Sequence, residues 1–217
     1  MKDPRLYVIL DRAAARGRDL LTILDATLAG GCRLVQLREK EWPSGRLLPM
    51  AERLRDRCRA AGATFVVNDR LDLALALGAD GVHLGQDDLP PAAARPLLRP
   101  GMILGLSTHS LEQARAAQAA GADYVAVGSM FPTGTKPDFQ LVGPEIIGKL
   151  RGEISVPLIG IGGITHDNVT QVIRAGADGV AVISAVCGAP NPEAATRRFL
   201  GAIESARNLT TTQRRSL

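Results

Sequence analysis

Residues 35–40 read VQLREK. At the end of a strand, alternation puts Gln36, Arg38 and Lys40 on one face and Val35, Leu37 and Glu39 on the other. Two cations and an amide aimed the same way suit an anionic ligand, because arginine grips phosphate oxygens in a fork. Pairing with local carboxylates is the competing use. A second group lies in VVNDR (66–70) and VHLGQDD (82–88), where Asn68 and Asp69 would meet Asp87 or Asp88 from a neighbouring strand. Carboxylates brought together repel each other or share a cation. Oxygen ligands alone favour Mg²⁺, which keeps several waters and usually takes substrate phosphate as well. Asp72 and Asp87 have an alternative use as helix caps or turn residues.

A third group follows further along the chain. GLSTHS (105–110) offers Ser107 and His109, with Ser110 as the expected N-cap of a helix. GSMFPTGTK (128–136) carries Thr133, Thr135 and Lys136 around Gly134, more functional groups than a surface turn needs. GIGGITHDN (160–168) and VISAV (182–186) bring Gly162, Gly163 and Ser184. Glycines just before a helix let backbone approach a ligand, and helix amide ends attract anions. His83, inside an apolar run, reads as a hydrogen-bonded layer residue and His166 as a helix-start residue.

These residues fall at the ends of a repeated unit. LGADGVHLG (77–85), AGADYVAVG (120–128) and AGADGVAVI (175–183) share one grammar, and AGGCRLVQL (29–37) is a looser copy. A helix ends at glycine in a left-handed cap, an Ala-Asp turn follows, and a β-branched apolar run begins. With LYVIL (6–10), TFVVND (64–69), MILGLST (102–108) and VPLIGIGG (156–163), eight strand candidates alternate with helical patterns. Alternating βα units imply a parallel sheet with right-handed crossovers. Eight of them predict an α/β fold, a single (β/α)₈ TIM barrel over 1–207, followed by a polar, frayed tail at 208–217. A doubly wound open sheet is the runner-up, but no G-x-G-x-x-G opens the first helix. In a barrel the strand C-termini carry the active site, which is where the polar residues collect.

Composition narrows the function. At 217 residues, 46% hydrophobic and 22% charged, the chain is globular in type, and its net charge of +4 is mild. Aromatic residues make up only 3%, which leaves few stacking platforms for single-stranded nucleic acid. The arginines of RLRDRCR (53–59) scatter around a helix, so they read as a solvated face. Three well-separated cysteines without CxxC spacing read as reduced thiols in a cytoplasmic protein. No apolar stretch is long enough to span a membrane.

Taken together and in order, QLREK, NDR, GVHLGQDD, GLSTH, GSMFPTGTK, GIGGI and VISAV resemble the thiamine-phosphate synthase (thiamine-phosphate pyrophosphorylase) family over nearly the whole chain. The resemblance implies a transferase with two small phosphorylated substrates. It would join 4-amino-2-methyl-5-(diphosphooxymethyl)pyrimidine to 4-methyl-5-(2-phosphooxyethyl)thiazole or its carboxylate, releasing pyrophosphate with the help of Mg²⁺. It further implies that Gln36, Arg38, Lys40, Asn68, Ser107 and Lys136 bind the pyrimidine diphosphate. Thr133, Gly134, Thr135, Gly163, Ile183 and Ser184 would bind the thiazole phosphate. Asp69 and Asp88 match the Mg²⁺ ligands, which selects Asp88 over Asp87. No nucleic acid or membrane partner is expected, and homo-oligomer formation stays open. A related thiazole tautomerase would use His109 but would need neither the Asn68, Asp69 and Asp88 set nor an intact PTGTK. A non-catalytic phosphate sensor would keep only the glycine-rich end.

Overall fold

The computed structural model describes residue 1, residues 3–134 and residues 140–215, with 210–215 by backbone alone. Thr135 and Lys136 lie outside the described residues. Eight parallel strands close into a barrel in sequence order. They are β1 (Leu6–Asp11), β2 (Leu34–Arg38), β3 (Thr64–Asn68), β4 (Gly81–Leu84), β5 (Ile103–Thr108), β6 (Tyr124–Val127), β7 (Leu158–Ile161) and β8 (Gly179–Val182). All eight expected strands are present, and β1 pairs with β8 to seal the barrel through Leu6↔Val180, Tyr7↔Ala181 and Val8↔Val182. The open-sheet alternative is thereby excluded.

The repeated Gly-Ala-Asp turns have a physical job at the lower rim. Gly78, Gly121 and Gly176 all have left-handed φ, at +60°, +80° and +109°, where a Cβ would be strained. The aspartate that follows locks its strand to the preceding one at two points. Asp80 donates its N–H to Phe65 O and accepts from Phe65 N through its carboxylate, at 3.0 and 2.8 Å. Asp123 does the same with Leu104, and Asp178 with Leu158, all four bonds being 2.8 Å. The repeat therefore encodes strand register.

Side-chain alternation divides the apolar residues into two layers. The even set of β1, Leu6, Val8 and Leu10, faces the helices together with Val35, Leu37, Phe65, Val67 and Val82. The inner set is much smaller: Tyr7, Ile9, Leu34, Val66, Ile103, Tyr124, Ile159 and Ala181. Interior space is the limiting quantity. A Cβ at Gly105 would lie 2.1 Å from Tyr124 Cζ, so the Tyr124 ring occupies the space that this glycine leaves empty.

Helices α1 (Arg12–Ala15), α2 (Leu20–Ala29), α3 (Ser44–Ala60), α4 (Leu71–Leu77), α5 (Pro91–Ala94), α6 (Leu111–Ala119), α7 (Glu145–Arg151), α8 (Val169–Arg174), α9 (Ser184–Cys187) and α10 (Pro192–Arg215) surround the barrel. Ser110 caps α6 as expected, accepting from Gln113 N at 3.2 Å. α3 buries Leu47, Ala51, Leu54 and Cys58. Around them Arg57 pairs with Asp25 at 2.9 Å, in keeping with a solvated basic face. The backbone of α10 continues to Arg215.

Gly105→Ala is expected to cost about 1–3 kcal/mol, because the new methyl overlaps a ring that has no free volume to enter. Chemical denaturation of the two proteins measures it. Equal stability would mean that the Tyr124 ring can move aside.

Candidate active site

β2 ends at the barrel mouth with Gln36 inside the barrel and Arg38 above it. Asp11, at the end of neighbouring β1, pairs with Arg38 through Oδ2, while its Oδ1 caps α1 by accepting from Ala14 N at 2.9 Å. Its carboxylate is thus fixed from two sides and holds the guanidinium over the mouth. Glu39 points the other way, as alternation requires, and pairs with Arg12 at 2.7 Å. Lys40 lies just past the strand, and its Nζ contacts Asp69 Oδ2.

Asp69 stands at the end of β3 with a left-handed φ of 59°, uncommon for a residue with a side chain. Its N–H is satisfied by His83 O at 2.8 Å, which ties this conformation to β4. Such backbone costs on the order of 1 kcal/mol or more and is concentrated at functional sites. Here it carries the carboxyl group toward Asp88. Asp88 accepts from Gly85 N at 2.7 Å, so the loop after β4 curls back on itself. The Asp88 carboxyl is raised above the ordinary carboxylate range, first by burial and then by the adjoining Asp69 carboxyl, with Lys40 acting in the opposite direction. Of the two candidates in this loop, then, Asp88 is the one set beside Asp69. Asn68 is the last residue of β3, paired in register with His83 of β4.

Two carboxylates held together against their mutual repulsion suit a divalent cation. Among the described residues no group of three or more His, Cys, Asp or Glu forms a metal cage. What the mouth offers instead is the side-by-side carboxyl pair of Asp69 and Asp88, with Lys40 beside it.

The other half of the mouth is built from backbone. Past β6 the chain runs beside the end of β7, with Met130 N donating to Ile161 O at 2.9 Å and Phe131 N to Gly162 O at 3.0 Å. A Cβ at Gly163, where φ is +62°, would lie 2.4 Å from Pro132 O and 2.6 Å from Phe131 O. Glycine is required there on both counts, and the contact sets the start of the Thr133–Gly134 segment against Gly163. Asn168 fixes the turn by donating to Gly163 O at 3.0 Å. At Gly134 a Cβ would meet nothing within 4 Å, so the described conformation does not itself require glycine at that position. Ile183 packs against the inner layer and Ser184 opens α9 directly after β8.

Below the mouth lies a polar chain that sequence reading largely missed. Gln36 Nε2 donates to Tyr7 Oη at 2.7 Å, and Tyr7 Oη lies 2.9 Å from Tyr124 Oη. Tyr124 Oη is 2.9 Å from His83 Nδ1, and His83 Nε2 is 2.8 Å from Ser107 Oγ. His83 thus is a hydrogen-bonded layer residue, as expected, but it connects two candidate binding residues. Burial pushes the imidazole down to about 4, so it is neutral at pH 7. Burial also drives both phenols well above their ordinary value. A signal was available: the chain has only two tyrosines, both in apolar strand runs, and a buried phenol needs a partner. Asp11 was missed as well, because nothing local marks it as the partner of Arg38.

His109, at the β5 end, donates from Nδ1 to Gly128 O and from its backbone N–H to Gln113 Oε1, the latter at 2.7 Å. It therefore braces the junction of β5 and β6. His166, in the loop between β7 and α8, lies against Phe199 with ring centroids 4.0 Å apart. All three cysteines are free and buried, and burial raises their thiols, to about 11 for Cys32 and Cys187. None of them resembles an activated nucleophile.

The sequence profile of the thiamine monophosphate synthase family matches residues 6–186, which spans all eight strands. The chain belongs to that family. A thiamine-phosphate synthase of Moorella thermoacetica is 49% identical over 203 residues, covering 93% of this chain and 97% of the relative. One from Haloquadratum walsbyi is 46% identical over 203 residues, covering 92% and 91% respectively. The solved structure of thiamine phosphate pyrophosphorylase from Pyrococcus furiosus superposes with a TM-score of 0.87 at 38% identity, covering 94% of this chain and 97% of that one. This barrel and that structure thus share one architecture over nearly their whole lengths.

The carboxylate pair has a consequence for stability. Folding raises the Asp88 pKa, so its contribution favours the folded protein in acid and is lost as pH climbs from the ordinary carboxylate value through the raised one. Asp88→Asn keeps an acceptor for Gly85 N–H and removes the repulsion. At pH 7 without divalent cations its Tm should exceed the parent's by about 1–3 °C, and at pH 3 the gap should close. Differential scanning calorimetry at the two pH values checks this; a lower Tm at pH 7 would show that Lys40 already compensates both charges.

Proposed function

We propose that this chain catalyses thiamine phosphate formation from 4-amino-2-methyl-5-(diphosphooxymethyl)pyrimidine and a thiazole phosphate, releasing pyrophosphate. The observation that carries the proposal is the convergence of Arg38, Lys40, Asp69 and Asp88 on one rim of the mouth in a member of this family. Such a rim suits a highly charged diphosphate. The facing rim, with Gly163 held against the segment leading to Thr133, suits a phosphate monoester approached by backbone amides.

In this reading Gln36, Asn68 and Ser107 bind the pyrimidine diphosphate together with Arg38, Lys40 and Lys136. Thr133, Gly134, Thr135, Gly163, Ile183 and Ser184 bind the thiazole phosphate. Asp69 and Asp88 would hold Mg²⁺, which when bound would supply charge neutralisation for pyrophosphate. The carbon–oxygen bond between the pyrimidinylmethyl group and the diphosphate breaks with its electron pair leaving on pyrophosphate. The aminopyrimidine ring stabilises the resulting methylene cation, and the thiazole nitrogen donates its lone pair to form the new carbon–nitrogen bond. No protein nucleophile is needed, in keeping with three buried thiols of raised pKa. What Arg38, Lys40 and Lys136 contribute is charge placed in advance where the leaving oxygen becomes anionic. The barrel rims hold the two reactants in line.

Other parts of the reading rest on similar support. Among the described residues no helix is long and apolar enough to cross a membrane. The free cysteines fit a reducing, cytoplasmic compartment.

The decisive experiment is pyrophosphate release by the purified protein. Release should require Mg²⁺ and both substrates, and should fall by on the order of 10³-fold in Asp69→Asn. Release from the pyrimidine diphosphate alone, or release indifferent to Mg²⁺, would contradict the reading. Lys136→Ala should lower kcat by about 10²-fold while leaving the KM for thiazole phosphate within about threefold. A selective rise in that KM would move Lys136 to the other substrate.

A further inference from the structure

The chain from Gln36 to Ser107 crosses the barrel interior through five residues on five different strands, β2, β1, β6, β4 and β5. Its middle is sealed, with Tyr7 1%, Tyr124 0% and His83 5% exposed. The two ends differ. Ser107 is half-buried at the mouth. Gln36 is itself buried at 1% exposed, and among the described residues its Oε1 makes no hydrogen bond, while its Nε2 is committed to Tyr7.

Counting protons gives the chain a direction. An amide nitrogen has no lone pair to offer, so Gln36 Nε2 can only donate to Tyr7. Tyr7 has one proton and cannot return it to that nitrogen, so it donates to Tyr124. Tyr124 must then donate onward to His83 Nδ1, which has to present a lone pair. The neutral imidazole therefore carries its proton on Nε2 and donates it to Ser107 Oγ. The Ser107 proton has no acceptor left inside the barrel and turns to the mouth. The opposite order, with the imidazole proton on Nδ1, would either turn the Gln36 amide over or make Tyr7 Oη accept from both neighbours and leave its own proton without an acceptor in the chain.

We infer that Tyr7, Tyr124 and His83 are positioning residues that fix the hydrogen-bonding sense of Gln36 and Ser107, leaving Gln36 Oε1 as an acceptor and Ser107 as a donor toward bound substrate. The inference rests on the assignment of Gln36 and Ser107 to the pyrimidine substrate proposed above. The packing indicates a built arrangement. The Tyr7 and Tyr124 rings meet edge-on at 80° with centroids 5.8 Å apart, and His83 stacks on Tyr124 at 5.5 Å. Gly105 leaves the space that Tyr124 fills. Rings held this way cannot turn their hydroxyls to other partners without disturbing the inner layer. Closed chains of this kind also polarise each member, so removing one link alters the ends.

The first test needs no substitution in the protein under study. Long-range ¹H–¹⁵N correlation at pH 7 on histidine-labelled protein, with the His83 signal assigned by its absence in His83→Gln, reports which ring nitrogen carries the proton. Protonation on Nε2 alone is expected; protonation on Nδ1, or on both nitrogens, overturns the inference. The second test is Tyr124→Phe, which keeps the ring and deletes the central hydroxyl. The KM for the pyrimidine diphosphate should rise about tenfold, with the KM for thiazole phosphate and the circular dichroism unchanged, and the His83 tautomer should become mixed. A folded Tyr124→Phe with an unaltered pyrimidine KM overturns the positioning role. If that variant does not fold, the tautomer in the unaltered chain decides. Should the parent release no pyrophosphate, the functional reading fails while the tautomer measurement still judges the chain's direction.

Discussion

Closing eight parallel strands on themselves leaves a narrow interior that side chains must fill, and every bond and contact there is made at the expense of another. In this barrel the fill is partly aliphatic, with Ile9, Leu34, Val66, Ile103 and Ile159, and partly polar, with Gln36, Tyr7, Tyr124 and His83. A buried polar atom without a partner costs about 1–3 kcal/mol. The polar members are therefore tolerable only because they satisfy one another end to end. That requirement couples strands distant in sequence: Tyr7 and Tyr124 are 117 residues apart and share a bond. The rest of the site is built on top of this layer, since Gln36 and Ser107 are its two exits to the mouth.

The rims above obey a different constraint. Two of the cations at this rim already have a carboxylate, Arg38 with Asp11 and Lys40 with Asp69. Exposed pairs contribute little to stability, and these lie at a mouth where at least one partner is accessible. Their value is geometric. Asp11 also caps α1, and Asp69 is bound through its N–H to His83 O, so each carboxylate is anchored to backbone before it meets its cation. The lower rim uses the same chemistry for another end, where Asp80, Asp123 and Asp178 lock strand to strand.

The fold was legible because its signals are local and repeated. Three Gly-Ala-Asp turns state where helices stop and strands begin, and eight apolar runs at strand spacing leave few topologies. The rim residues were legible for a related reason: charge at the end of an apolar run is conspicuous, and period-two alternation alone put Gln36, Arg38 and Lys40 together. What was hidden is pairwise and non-local. Nothing near Asp11 announces Arg38, and nothing near Tyr7 announces Tyr124, because those contacts exist only once the barrel closes. The choice between Asp87 and Asp88 was likewise beyond spacing, since it depends on how the loop after β4 curls through the Gly85–Asp88 bond.

The two layers of the site differ in the ligand chemistry they suit. The sealed layer carries no net charge: its imidazole is neutral and its phenols are protonated. It can distinguish ligands only by donor and acceptor pattern, which suits a heterocyclic base. The rim does the reverse, offering strong charge with little pattern, which suits a diphosphate. Separation in depth keeps the two from interfering. Were a charged group to enter the layer, burial would penalise it by several kcal/mol, and were the rim neutral, a departing anion would have nothing to stabilise it. Lys40 sits where the demands meet. It neutralises Asp69 in the ligand-free protein, yet it is about half exposed at 54% and mounted on a flexible stem. Arg38, by contrast, is only 23% exposed and is pinned by Asp11, whose carboxylate is anchored twice.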